Sequence, residues 1–155
     1  MLTIAPADLS SPEVVALIAL LDAELSERYP EPGANHFRLD GDDVGAGRGA
    51  LLIARWGDEV VGCGAVRVLD PGTAEIKRMF TLPEARGRGV GRALLVGLER
   101  AARELGVTRL VLETGTRQHE ALGLYQSHGF RVIPLFGEYL DSPDTSVCMA
   151  KNLDG

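Results

Sequence analysis

Apolar positions recur at two periods along this chain, and the switches between the periods lay out its elements. LTIAPA (residues 2–7) alternates briefly and predicts a short strand. In LSSPEVVALIALLDAELSERY (residues 9–29), Val14, Leu17, Ile18, Leu21 and Leu25 fall on one face at helical spacing. Ser10 and Glu13 have capping-box spacing, Pro12 suits a first turn, and Leu9 with Val14 suits a hydrophobic staple. Residues 29–49 are rich in Pro, Gly and Asp and predict a long loop with room for one short helix. ALLIARW (residues 50–56) and EVVGCGAVRVL (residues 59–69) predict a hairpin turning at Gly57-Asp58, and Pro71-Gly72 turns the chain into the strand AEIKRMFTL (residues 74–82). ALLVGLERAAREL (residues 93–105) stripes Leu94, Leu98, Ala101 and Leu105 on one helical face, with Gly106 as its stop. RLVLETG (residues 109–115) is nearly all apolar up to Leu112 and predicts a central strand. QHEALGLYQSHGF (residues 118–130) predicts a helix ended by Gly129, and RVIPLF and SVCMAKNL close the chain as two strands. The sum is an α/β (α+β) chain with a mixed sheet and helices on its faces, and no repeat or linker.

Composition narrows this picture. At 155 residues and 45% hydrophobic, residues 1–155 are expected to form one domain with a core that needs no staple. Cys63 and Cys148 have no metal-ligand spacing and read as small buried hydrophobes. The N-terminus lacks the basic and apolar regions of a signal peptide, and runs such as VVALIALL are too short to span a bilayer. The expectation is a cytoplasmic protein that engages no membrane. The formal net charge of −6 argues against nucleic acid. Its distribution says more. From Arg67 to Arg109 there are nine Lys/Arg against five Asp/Glu, a net of +4, which leaves −10 for the rest. A basic centre on an acidic chain suits a small polyanion.

That centre contains EARGRGVGRALL, residues 84–95. It lacks the lysine of a Walker A loop, and Gly87, Gly89 and Gly91 are spaced by two, which fails the Rossmann fingerprint. The cluster at Gly45, Gly47 and Gly49 fails in the same way and has no helix after it. What remains is Arg-x-x-Gly-x-Gly at Arg86, Gly89 and Gly91. A helix start presents unpaired N–H groups and the positive end of the dipole, and glycines open it to an anion. Arg86, Arg88 and Arg92 supply charge-assisted hydrogen bonds, and the spacing does not say which of them reaches the anion.

AEIKRMFTLPEARGRGVGRALL, followed by the Ala-x-x-Leu-Tyr-x-x-x-Gly-Phe pattern of ALGLYQSHGF, resembles the GNAT superfamily of acetyl-coenzyme A-dependent N-acetyltransferases. The resemblance runs over about residues 50–133. It implies a mostly antiparallel sheet of six to seven strands, splayed between the fourth and fifth. It implies a coenzyme A pyrophosphate held by Arg86, Gly87, Arg88, Gly89, Val90, Gly91 and Arg92. It also implies a pantetheine arm along Met79, Phe80 and Thr81, where one N–H would polarise the thioester carbonyl. Gln118 stands where the family often has an asparagine that touches the cofactor. Tyr125 matches the tyrosine that faces the sulfur and would act as general acid.

The attacking amine must lose a proton. Glu75, eleven residues before Arg86, stands where several family members carry a base; it alternates with Lys77 and Met79 on one strand face. Glu113 is the other candidate, and a water chain to either remains open. The three scattered histidines make no metal or nucleophile constellation, and no metal is expected. The family builds its acceptor site from regions that map here onto Tyr29–Phe37 and Phe136–Tyr139, and Lys77 and Arg78 stand where an acceptor carboxylate could be met. The expectation is transfer of acetyl from acetyl-coenzyme A to a primary amine of a small molecule in a ternary complex. A peptide acceptor and a non-catalytic acyl-coenzyme A-binding module are the other readings. A homodimer follows only from family habit.

Overall fold

The computed structural model describes residues 1–153. Its elements run β1 (Leu2–Pro6), α1 (Pro12–Arg28), β2 (Gly49–Trp56), β3 (Glu59–Asp70), β4 (Thr73–Thr81), α2 (Val90–Glu104), β5 (Arg109–Gly115), α3 (His119–Ser127), β6 (Arg131–Ile133) and β7 (Ser146–Asn152). Short 3-10 turns cover Gly41–Val44, Pro83–Ala85 and Gly137–Asp141. One seven-stranded sheet runs β1-β2-β3-β4-β5-β7-β6. Every neighbouring pair is antiparallel except β4 with β5.

The period-2 pattern sorts the core into two layers. Leu51 and Ile53 pack with Val14, Leu17 and Leu21 of α1 on one face, while Leu52 and Ala54 pack with Leu94, Leu95 and Leu98 of α2 on the other. Both cysteines are fully buried and free. The hairpin turn lies at Gly57-Asp58, where Trp56 pairs with Glu59 and Gly57 takes φ 64°.

Several local expectations differ from what forms. The α1 N-cap is Ser11, with no side-chain cap bond, and Ser10 lies outside the helix, where its N–H and hydroxyl donate to Asp8 Oδ1. α2 starts at Val90, inside the glycine-arginine turn, three residues before the apolar run. The last predicted strands are trimmed: β6 keeps only Arg131–Ile133, since Pro134 has no N–H to donate to a ladder.

The hallmark pattern around Tyr125 has a physical explanation. Gly129, at φ 90°, donates its N–H to the Gln126 carbonyl, and Phe130 donates to the Tyr125 carbonyl. This is a Schellman cap, and its usual apolar contact is made by Phe130, whose ring stands edge-on to Tyr125 at 5.7 Å between centroids. Glycine and phenylalanine therefore end the helix and fix the tyrosine ring. Gly106, at φ 82°, ends α2 in the same way, with Val107 donating to the Ala102 carbonyl.

Candidate active site

The site begins where β4 and β5 part. Their pairing runs from Thr73 with Arg109 to Ile76 with Leu112 and then stops. Beyond it the β5-facing edge of β4 has no ladder partner, and Lys77 and Glu113 are the first residues past the divergence. A bulge at Arg78 and Met79 reinforces the parting. Cys63 pairs with Phe80 but Ala65 with Lys77, so two residues of β4 oppose Gly64 alone, and Arg78 takes φ 59°. The bulge corrects the expected alternation. Met79 packs with Ala74 and Ile76 in the α2 layer, away from Glu75 and Lys77.

A cavity of about 620 Å³ opens between α1, the end of β4, the start of α2 and α3. Met79, Phe80, Thr81, Arg86, Gly87, Gly89, Val90, Gly91, Arg92, Gln118 and Tyr125 all line it. The backbone conformation shapes this turn. Gly87 and Gly89 hold φ 80° and 82°, which side chains resist, and a Cβ at either would meet nothing. Gly91 differs: a Cβ there would press to 3.0 Å from Leu124 of α3, so its role is close helix packing. Among the described residues no partner takes the N–H groups of Gly87 to Arg92, and the first helical bond runs from Ala93 to the Gly89 carbonyl. Such a row of free donors at a helix start is an anion cradle.

The arginines divide. Arg86 lines the cavity, but its Nε donates to the Thr81 carbonyl at 3.0 Å and its terminal nitrogen to Glu24 at 2.9 Å. These bonds tie the turn to β4 and α1. Arg88 lies outside the lining and stacks 5.4 Å from the Trp56 ring. Arg92 lines the cavity and forms no ion pair among the described residues. The Gln118 side chain accepts from Arg28 at 2.5 Å.

A second, smaller cavity of about 110 Å³ lies beyond the divergence and shares Leu21, Met79, Gln118, Ala121 and Tyr125 with the first. Its other walls are Lys77, Arg78, Glu113 and, from the two expected acceptor regions, His36 and Tyr139. Glu75 is not among them. It is 1% exposed, with one oxygen taking two bonds from Arg67, its partner across the ladder, and the other taking the Tyr139 hydroxyl at 2.5 Å. Both oxygens of the expected base are thus occupied inside the protein. Glu113 faces the cavity; burial first and then the Glu75 charge push its carboxyl above the usual range, against the Ser146 hydrogen bond. Burial likewise raises Tyr125 far above an ordinary phenol and keeps it protonated.

A chain of hydrogen bonds that no sequence signal announced leads away from Glu113. Ser146 Oγ donates to Glu113 at 2.6 Å and lies 2.8 Å from Ser142 Oγ. Ser142 Oγ lies 2.8 Å from His36 Nε2, and His36 Nδ1 lies 2.9 Å from the half-exposed Glu138. Arg78 pairs with Asp22 and covers the Phe37 ring. Among the described residues no His/Cys/Asp/Glu group is arranged to hold a metal, and no helix is long and apolar enough to cross a membrane.

Residues 14–130 match the Acetyltransferase (GNAT) family. An IAA acetyltransferase of Azospirillum brasilense is 41% identical over 141 residues, covering 90% of each chain. A Klebsiella pneumoniae protein described as an acyl-CoA N-acyltransferase superposes with a TM-score of 0.85 at 35% identity over 99% of both chains. A GNAT acetyltransferase of Elizabethkingia anophelis, solved with acetyl-CoA bound, shares the fold with a TM-score of 0.71 at 23% identity over 98% of both.

Proposed function

This chain is a member of the GNAT acetyltransferase family, and on that premise we propose that it moves the acetyl group of acetyl-coenzyme A to a primary amine of a small molecule within a ternary complex. The observation that carries this reading is the shared wall of the two cavities. Tyr125 and Met79 belong to both, so a donor in the larger one and an acceptor in the smaller one meet there.

The free N–H groups of Gly87 to Arg92, with the Arg92 guanidinium, hold the pyrophosphate. Met79, Phe80 and Thr81 present the unpaired edge of β4 to the pantetheine arm, and an N–H there polarises the thioester carbonyl. Transfer breaks the carbon–sulfur bond, forms a carbon–nitrogen bond and releases a thiol and a proton. An amine of pKa about 10.4 stands about 4–5 kcal/mol from its neutral form at pH 7. Glu113 takes that proton and passes it along Ser146, Ser142 and His36 to Glu138 at the rim. Tyr125 gives its phenolic proton to the departing sulfur and regains one from the acylated nitrogen. Glu75 holds Tyr139 in the acceptor wall and takes no part in proton transfer.

Thiol release from acetyl-coenzyme A across a panel of primary amines tests the reading. The expected result is release that depends on the acceptor and falls about 100-fold or more in Tyr125→Phe, with coenzyme A still bound. Coenzyme A binding without release from any amine or peptide makes the chain a non-catalytic module.

A further inference from the structure

The small cavity holds one group that the transfer chemistry does not use. Lys77 has a side chain only 4% exposed, yet among the described residues its Nζ has no hydrogen-bond partner. Its nearest carboxylate, on Glu138, stands at 3.9 Å, beyond hydrogen-bond reach, and the other oxygen of that carboxylate already serves His36. The charged groups around it are otherwise satisfied. Glu75 is held by Arg67 and Tyr139, Arg78 by Asp22, and Glu113 by Ser146. A buried ammonium carries three donors and seeks acceptors. This one lines the cavity on β4, directly across the divergence from Glu113 on β5.

We propose that Lys77 reads a carboxylate on the acceptor, so that the substrates of this site are small primary amines that also carry a carboxylate, of the amino-acid class. The assignment rests on the transferase reading above and names its substrate class. The geometry supplies both ends of such a molecule. Glu113 takes the amine at the mouth shared with Tyr125, and Lys77 takes the carboxylate on the opposite wall. A cavity of about 110 Å³ suits a small molecule, whereas drug-sized ligands occupy roughly 300–1,000 Å³. The one guanidinium in this wall, on Arg78, is committed to Asp22, which leaves the Lys77 ammonium as the donor that faces the cavity for a small anionic group.

The test uses matched triplets: an amino acid, its amide and its decarboxylated amine, beginning with glycine, glycinamide and methylamine and extending to the alanine, leucine and phenylalanine counterparts. Wild-type protein is expected to favour the acid by about tenfold or more in kcat/KM, the least that one charge-assisted hydrogen bond confers. Lys77→Met is expected to raise KM for the acid, leave the amide nearly unchanged and so erase the ratio. Lys77→Arg is expected to keep part of it. A ratio of two substrates in one preparation does not depend on how much of a variant folds. An amide used as well as the acid by the wild type, or a ratio untouched by Lys77→Met, overturns the assignment. If no triplet releases thiol, calorimetry decides the carboxylate site by itself, and the wider amine and peptide panel decides the transfer reading. N-acetylglycine must then bind the wild type better than N-acetylglycinamide and lose that advantage in Lys77→Met; equal binding, or none, overturns it.

Discussion

The two cavities meet at Tyr125 but are built on different terms. The larger is built around a backbone turn. The run from Met79 to Arg92 lines it, shaped by positive φ at Gly87 and Gly89, and α1 and α3 form its walls, with a Schellman cap behind Tyr125. The smaller is made of side chains drawn from α1, the loop after it, β4, β5, α3 and the turn at Gly137–Asp141. A backbone cradle reads a group common to every donor molecule, and a constant pattern of N–H donors suffices for it. A side-chain cavity sets chemistry and selectivity, and single substitutions can change it. The contrast predicts that variants of the smaller cavity act on turnover and choice of acceptor, while variants of the larger act on donor affinity.

Glu113→Gln should break this picture most visibly. As the base, its loss should lower kcat/KM by about 10²–10⁴-fold, the range for general acid–base catalysis. The pH profile supplies the sharper sign. Burial holds the Glu113 carboxyl above the usual value of about 4.3, so it keeps its proton to higher pH. The base form appears only as pH rises through that raised value, so activity should fall on its acid side. Glu113→Gln should remove that limb, whereas Glu75→Gln should keep it and move it to lower pH, because the Glu75 charge helps to raise the Glu113 carboxyl. A limb that survives in Glu113→Gln returns the role of base to another group.

Gly115→Ala tests the joint between the two regions. The hydroxyl end of Tyr29, just past α1, sits against Gly115, and a Cβ there would run into it. The Tyr29 hydroxyl accepts the Arg117 N–H at 2.8 Å, which fixes the loop leading to Gln118 and α3. Overpacking of this kind costs about 1–3 kcal/mol, to be read as a lower melting temperature. Because the loop borders both cavities, the affinities for donor and acceptor should weaken together. A loss confined to one of them would show that the joint is not shared.

Sequence and structure agree to different depths in the two regions, for a physical reason. The cradle was legible because it is local. Its glycines must occupy fixed positions in a short run, and Gly129 and Phe130 mark the cap behind Tyr125 just as locally. The order of strands and helices, and the splay between the fourth and fifth strands, follow from period and family pattern in the same way. The smaller cavity and the hydrogen-bond chain behind it join His36, Lys77, Glu113, Ser142 and Ser146 across more than a hundred residues, and no spacing announces that. Glu75 shows the limit most clearly. Its place on the strand matched a base, yet ladder register sets it opposite Arg67, and a long-range contact hands its second oxygen to Tyr139. The bulge at Arg78 was equally hidden, since nothing in a run such as Lys77-Arg78-Met79 requires a left-handed residue.

The smallest effect expected is also the finest test of the cradle. If backbone N–H groups do most of the work, no single arginine should dominate. Arg92 lines the cavity without an ion pair, Arg86 is spent on Thr81 and Glu24, and Arg88 lies over Trp56. Arg92→Ala should therefore weaken coenzyme A binding by no more than about tenfold, the low end of what one charge-assisted hydrogen bond confers. It should also reduce the salt dependence of binding, because a screened charge has been removed. Arg88→Ala should leave affinity within about twofold, as expected of a surface stacking pair. Arg86→Ala should act differently from both, lowering stability by loosening the turn from β4 and α1 more than it lowers affinity at saturating folded protein. Calorimetric titration of the three variants at two salt concentrations separates these cases. Equal losses in Arg88→Ala and Arg92→Ala would mean that the turn recognises its anion by general positive field, and that the geometry of the N–H row is secondary.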